Sequence, residues 1–66
     1  MYQDRSDMIC KIQERLLDMG VGRTSVVHGV VATRWNEDEW EVGTWGTDDL
    51  MGSEHAAEEI TDRVLG

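Results

Sequence analysis

Three side chains have the chemistry to hold a soft metal ion or to serve as nucleophile and base: Cys10, His28 and His55. Structural zinc sites draw their ligands in closely spaced pairs, Cys-x2–4-Cys or His-x3–5-His. No two of these three lie that close, so the spacing argues against a metal, and Cys10 reads as a small, partly buried apolar residue. A Cys10–His28 pair would lack a third group to orient it and a turn motif to expose it. Asp48 and Asp49 match the paired carboxylates of glycosidases in residue type only and read as capping and solubilising groups. Residues 36–39, Asn-Glu-Asp-Glu, are acidic but lack the alternating ligands, central glycine and distal glutamate of a calcium loop. Gly20, Val21, Gly22 and Arg23 follow a helical pattern, whereas phosphate capture needs a helix N-terminus. A domain of 66 residues seldom encloses the pocket of several hundred Å3 that a substrate needs. The expectation is a chain with no cofactor, no metal and no catalytic residues, one that binds rather than catalyses.

Charge is the strongest signal. The chain carries 14 acids against 6 bases, a formal charge of −8. Residues 1–36 hold five bases (Arg5, Lys11, Arg15, Arg23, Arg34) and four acids, a net +1. Residues 37–66 hold ten acids and Arg63 alone, a net −9. Affinity for DNA or RNA comes largely from Lys and Arg displacing counterions, so direct nucleic-acid binding is disfavoured. Anionic lipid surfaces repel such a half for the same reason. A basic protein surface attracts it. Glu54, Glu58 and Asp62 recur at i, i+4 and i+8, with Glu59 beside them and Asp48 and Asp49 ahead. A solvated helix face kept acidic for solubility explains most such stripes. Such faces usually mix Lys with Glu, however, and like charges at i, i+4 cost a few tenths of a kcal/mol per pair. That cost raises the case for a functional acidic surface, to which the loop acids Glu37 and Asp38 belong.

Trp35, Trp40 and Trp45 cannot all be deeply buried on a short ribbon. The simpler expectation pairs Trp35 with Trp40 across two strands as a roof over the core. Trp45 then projects on the other face near Val26, Val30 and Ala32, where an exposed tryptophan can anchor a partner or a second copy of the chain.

The elements that would position these groups follow from periodicity. Met8, Ile12, Leu16 and Met19, widened by Ile9 and Leu17, predict an amphipathic helix over 6–19, capped by Asp4 or Ser6 and ended near Gly20. The β-branched run 25–35 and the alternating run 40–45 predict a β-hairpin closed by the loop 36–39. If Trp35 faces Trp40, Arg34 faces Glu41 as an ion pair, Thr33 faces Val42, and Val31 faces Thr44. The core face is then Val27, Val31, Thr33, Trp35, Trp40, Val42 and Thr44. Ser53 as N-cap, Glu54 in the first turn and the stripe Ala56, Ala57, Ile60, Val64 predict a second helix over 53–65. A short helical turn is expected at 47–50. The reading is an α+β chain, one acidic αββα domain over 1–66, with two helices packed on an antiparallel β-hairpin.

A chain this size buries only about 60% of the surface its unfolded form exposes. Cys10 is the only cysteine, so stability must come from tight helix–sheet packing or from a homodimer. No apolar run resembles a signal-peptide core or a membrane span, and one cysteine gives no sign of an oxidising compartment. The expected location is the cytoplasm, a host cell's if the chain is phage-encoded. The expected function is that of an inhibitor or regulator whose acidic residues Glu37, Asp38, Asp48, Asp49, Glu54, Glu58, Glu59 and Asp62, with Trp45, dock on the basic, nucleic-acid-binding surface of a partner protein. Small phage-type anti-CRISPR or anti-restriction proteins that imitate DNA fit this size and charge. The alternative is a small structural or assembly module, of phage or homodimeric type, joined through the Trp-rich hairpin.

Overall fold

The computed structural model describes residues 4–43 and 49–66. The element order is α1 (Arg5–Leu17), β1 (Thr24–Val27), β2 (Val30–Asn36), β3 (Glu39–Val42) and α2 (Ser53–Leu65). It is a small α+β arrangement of two helices and a three-stranded antiparallel sheet in the order β1-β2-β3.

The helices follow their hydrophobic periods. Asp4 caps α1, its carboxylate accepting from the Asp7 N–H at 2.7 Å, which satisfies one of the donors a helix start leaves open. Met8, Ile12 and Leu16 are buried along one face. Leu17, expected to widen that stripe, is exposed. In α2 the buried residues are Ala56, Ala57, Ile60 and Thr61. Val64 of the expected stripe is exposed, and Thr61 takes an interior place by donating its hydroxyl to the Ala57 carbonyl at 2.7 Å. Gly52, not Ser53, is the N-cap of α2 and makes no side-chain cap bond. The Ser53 hydroxyl instead accepts from Gln13 of α1 at 2.9 Å.

The sheet departs from the expected hairpin in three ways. First, the run 25–35 is two strands. His28 and Gly29 both have positive φ, 51° and 81°, and form a two-residue turn with Val27 opposite Val30. Left-handed turn residues match the right-handed twist of paired strands. The expected αββα order is therefore α-β-β-β-α.

Second, the turn reverses the alternation. Val27 in β1 shares a face with Val30, Ala32 and Arg34 in β2, not with Val31, Thr33 and Trp35, because side chains of directly opposed residues lie on the same side.

Third, the β2–β3 register is Arg34↔Trp40, Thr33↔Glu41 and Ala32↔Val42, with Asn36↔Glu39 at the turn and an irregularity at Trp35. The loop is thus Glu37–Asp38, not 36–39. Neither loop residue is left-handed, and an extra residue in one strand offsets the mismatched twist. Met51 pairs with Trp40 along the far side of β3.

The core consists of Met8, Ile12, Leu16, Met19, Val27, Ala32, Trp40, Val42, Ala56, Ala57 and Ile60. Trp40 is 1% exposed and donates its indole N–H to the Leu16 carbonyl at 3.2 Å. Trp35 is 45% exposed and lies on the sheet's other face, so the two tryptophans do not form the expected roof. The Arg34–Glu41 ion pair is also replaced. The Arg34 guanidinium lies 4.7 Å from the Trp40 ring centroid. It donates to the carbonyls of Met19 at 2.7 Å and Glu37 at 2.6 Å, with longer contacts to Leu17 and Asn36. It thereby caps the end of α1 and ties it to the β2–β3 turn. Glu41, on the opposite face, is buried and accepts from the Trp35 indole N–H at 2.9 Å. Among the described residues no helix is long and apolar enough to cross a membrane.

Candidate functional site

The acidic residues are distributed by the way α2 lies against its neighbours. The helices are antiparallel, since Arg5 near the start of α1 meets Asp62 near the end of α2, and Gln13 meets Ser53. The stripe Glu54, Glu58, Asp62 therefore runs along the seam with α1. A shallow groove of about 360 Å3 there is lined by Arg5, Ser6, Ile9, Cys10, Gln13, Glu54 and Glu58. On the other flank of α2, Asp49, His55, Glu59 and Arg63 line a second groove with Val42, Leu50 and Met51. Glu37 and Asp38 are exposed at the β2–β3 turn, where the Asp38 N–H donates to Asn36 Oδ1 at 3.0 Å. Trp45 and Asp48 lie outside the described residues, as does Thr47, so half of the turn expected at 47–50 falls there.

Neutralisation of this surface is partial. Asp62 pairs with Arg5 at 2.8 Å, and the guanidinium is held above its ordinary range by that hydrogen bond first, by the charge of Asp62 next, and by the charge of Glu58 to a lesser degree. Glu59 faces Arg63 at 3.6 Å, and Glu58 faces His55 at 3.8 Å. Both contacts are half-exposed and carry little energy. Glu54 and Asp49 are exposed and stand in no ion pair among the described residues. Of the N-terminal bases, Arg5 alone makes an ion pair with the α2 acids among the described residues. Lys11, Arg15 and Arg23 lie on the far flank of α1, beside β1.

Sequence reasoning missed two features. Glu41, assigned to a cross-strand ion pair with Arg34, is a buried carboxylate, and no local pattern marks it. Cys10 is exposed rather than partly buried, because it sits two positions from both Met8 and Ile12, roughly opposite the buried stripe on a 3.6-residue period. Among the described residues no group of three or more His, Cys, Asp and Glu side chains is placed to hold a metal ion. Compared with known proteins, the chain matches no family model, no curated protein and no solved structure.

Proposed function

We propose that the chain is a non-enzymatic protein-binding inhibitor or regulator whose acidic surface on α2 docks on a basic, nucleic-acid-binding surface of a partner protein. Its specific form is a phage-type anti-CRISPR or anti-restriction protein that imitates DNA in a host cell's cytoplasm. The observation that carries the reading is the sidedness of the charge. Glu54, Glu58, Glu59 and Asp49 stay at the surface around α2, while Lys11, Arg15 and Arg23 gather on the other side of α1. A potential of one sign on one face steers encounter with an oppositely charged surface and orients the docked complex. The Arg5–Asp62 pair trims one end of the stripe, so its weight falls on Glu54, Glu58, Glu59 and Asp49.

The test is a pull-down from the native host with the full chain and with Glu54→Lys/Glu58→Lys, which leaves Asp62 on Arg5. A partner held by the natural chain, lost by the variant and displaced by duplex DNA supports the proposal. Equal recovery by both chains, or indifference to duplex DNA and to salt, refutes it.

A second reading, a structural or homodimeric assembly module, is favoured by exposed Trp35 and Val26 on the sheet face away from the core. It predicts self-association that is insensitive to salt and lost on Trp35→Ser.

A further inference from the structure

The side of the molecule away from α2 has a construction of its own. β1 is an edge strand. Val27 and Val30 flank the two-residue turn, so they exchange both hydrogen bonds, and the pairs alternate from there. Arg34 N–H donating to the Arg23 carbonyl at 2.9 Å continues the same alternation at the strand's start. The backbone N–H and C=O groups of Thr24 and Val26 consequently point away from β2, in the plane of the sheet. The strand itself, Thr-Ser-Val-Val, has none of the prolines, charges or bulges that usually blunt an edge.

Alongside that edge α1 forms the wall of a groove. Two adjoining cavities of about 230 and 280 Å3 share Arg15 and run the length of β1. The first is lined by Lys11, Ile12, Arg15, Val26, Val27 and His28. The second adds Asp18, Met19, Arg23 and Ser25. Lys11, Arg15 and Arg23 are exposed, and none of them is in an ion pair among the described residues.

A free strand edge beside a helix, with an apolar floor, is the geometry in which an extended segment adds as a further strand: main-chain bonds give affinity and side-chain pockets give selectivity. Three cations in no ion pair among the described residues, of which Arg15 makes a long hydrogen bond to the Ser25 hydroxyl at 3.4 Å, stand against one acid, Asp18, and select a segment carrying carboxylates. We infer that the groove between α1 and the free edge of β1 receives an extended acidic segment of a partner protein as a fourth strand of the sheet. This goes beyond the α2 reading and uses the opposite side of the chain. The overall charge of −8 opposes an acidic ligand only weakly there. The molecule measures 31 × 21 × 16 Å, and a Debye length of about 8 Å at physiological salt screens charges on opposite sides from each other.

The test uses the 15N-labelled full chain and three seven-residue probes: a peptide alternating Glu with Val and Thr, the same peptide with Gln for Glu, and the Glu peptide N-methylated at alternate residues. The Glu peptide should shift the Thr24 and Val26 amides saturably and slow their hydrogen exchange. Affinity should fall about ten-fold with the Gln peptide or with Lys11→Gln/Arg15→Gln/Arg23→Gln, since each exposed pair contributes a few-fold. It should be lost with the N-methylated probe and with Val26→Pro, which removes an outward donor that the β1–β2 ladder does not use. If Val26→Pro fails to fold, the N-methylated probe reads the same bond. No saturable shift at Thr24 or Val26 up to about 1 mM, the level of the weakest specific complexes, overturns the inference. So does equal binding of the N-methylated probe, a β1–β1 dimer of the chain alone in sedimentation, or tighter occupation of the same residues by an oligonucleotide.

Discussion

Arg34→Lys keeps the charge and removes the shape, and it separates the observed role of this side chain from the ion pair its position suggests. The guanidinium reaches two carbonyls at short range, Met19 at 2.7 Å and Glu37 at 2.6 Å, and lies over the Trp40 ring at 4.7 Å. A lysine ammonium is a point donor without the planar fork and can hold one of those carbonyls, not both at once. Losing one charge-assisted bond costs about 1.5 kcal/mol, and losing the stacked cation at a half-exposed site about 0.5 kcal/mol. The sum, about 2 kcal/mol, is a large share of the roughly 3–10 kcal/mol expected of a chain this size at about 0.05–0.15 kcal/mol per residue. It corresponds to a melting temperature lower by about 8–16 °C. Urea unfolding followed by far-ultraviolet circular dichroism should show a midpoint lower by about 2 M, for a slope near 1 kcal/mol/M. Glu41→Gln in both backgrounds completes a double-mutant cycle. Arg34 and Glu41 point to opposite faces of the sheet, so the coupling should lie within about 0.5 kcal/mol of zero. A midpoint change under about 0.5 M, or coupling above about 1 kcal/mol, would refute the clamp and restore the cross-strand pair.

Three further outcomes follow from single features. Gly29→Ala places a methyl in open space but at φ +81°, so it should cost about 1–2 kcal/mol of backbone strain alone, read from the melting temperature. Asp62 raises the titration of Arg5. A base raised in the folded state gives stability that is complete below its ordinary range and lost only as pH climbs through the higher folded value. Any loss of melting temperature in Asp62→Asn should therefore be flat over about pH 6–10 and vanish in about 1 M salt, where the Debye length is about 3 Å. A loss that persists at high salt would mean the pair is structural rather than electrostatic. Cys10 is exposed on α1, so one thiol per chain should react with a disulfide reagent in the native state. Reaction only after denaturation would place it inside.

The helices were legible because their signal is local. Met8, Ile12 and Leu16 keep one period within one uninterrupted segment, and Ala56, Ala57 and Ile60 do the same. The sheet was not, because strand parity is set by turns. His-Gly is a weaker turn signal than Asn-Gly or Asp-Gly, and valines on both sides hide it in an apparently continuous strand. One unseen turn moved Val31, Thr33 and Trp35 off the core face and put Ala32 there. The extra residue at Trp35 then restored Trp40 and Val42 to the interior, so those two expected core residues were right for a reason the alternation did not contain. The acidic stripe on α2 was legible in the same local way. Its partner was not, because Arg5 and Asp62 stand 57 residues apart and meet only through the antiparallel docking of the two helices.

That docking also turns an asymmetry along the chain into one across the molecule. A meander leaves β1 at one edge and β3 at the other, and α2 packs on β3 and β2. α1 then has one flank for α2 and one for β1. Bases on the β1 flank, Lys11 and Arg15, cannot reach α2 without crossing the buried stripe Met8, Ile12, Leu16, and Arg23 is held at the start of the edge strand. Arg5 escapes this rule because it sits on the α2 flank at the end of α1. The acids of α2 and the bases Lys11, Arg15 and Arg23 therefore lie on opposed flanks of α1, and among the described residues one exposed ion pair, Arg5–Asp62, joins α1 to the acidic stripe. A single added base on the α2 flank of α1, Cys10→Arg for instance, should offset part of the charge of the acidic seam while leaving the core untouched. If α2 binds its partner through charge, that variant weakens binding with no loss of stability. If it binds as tightly as the natural chain, the seam is only a solvated face.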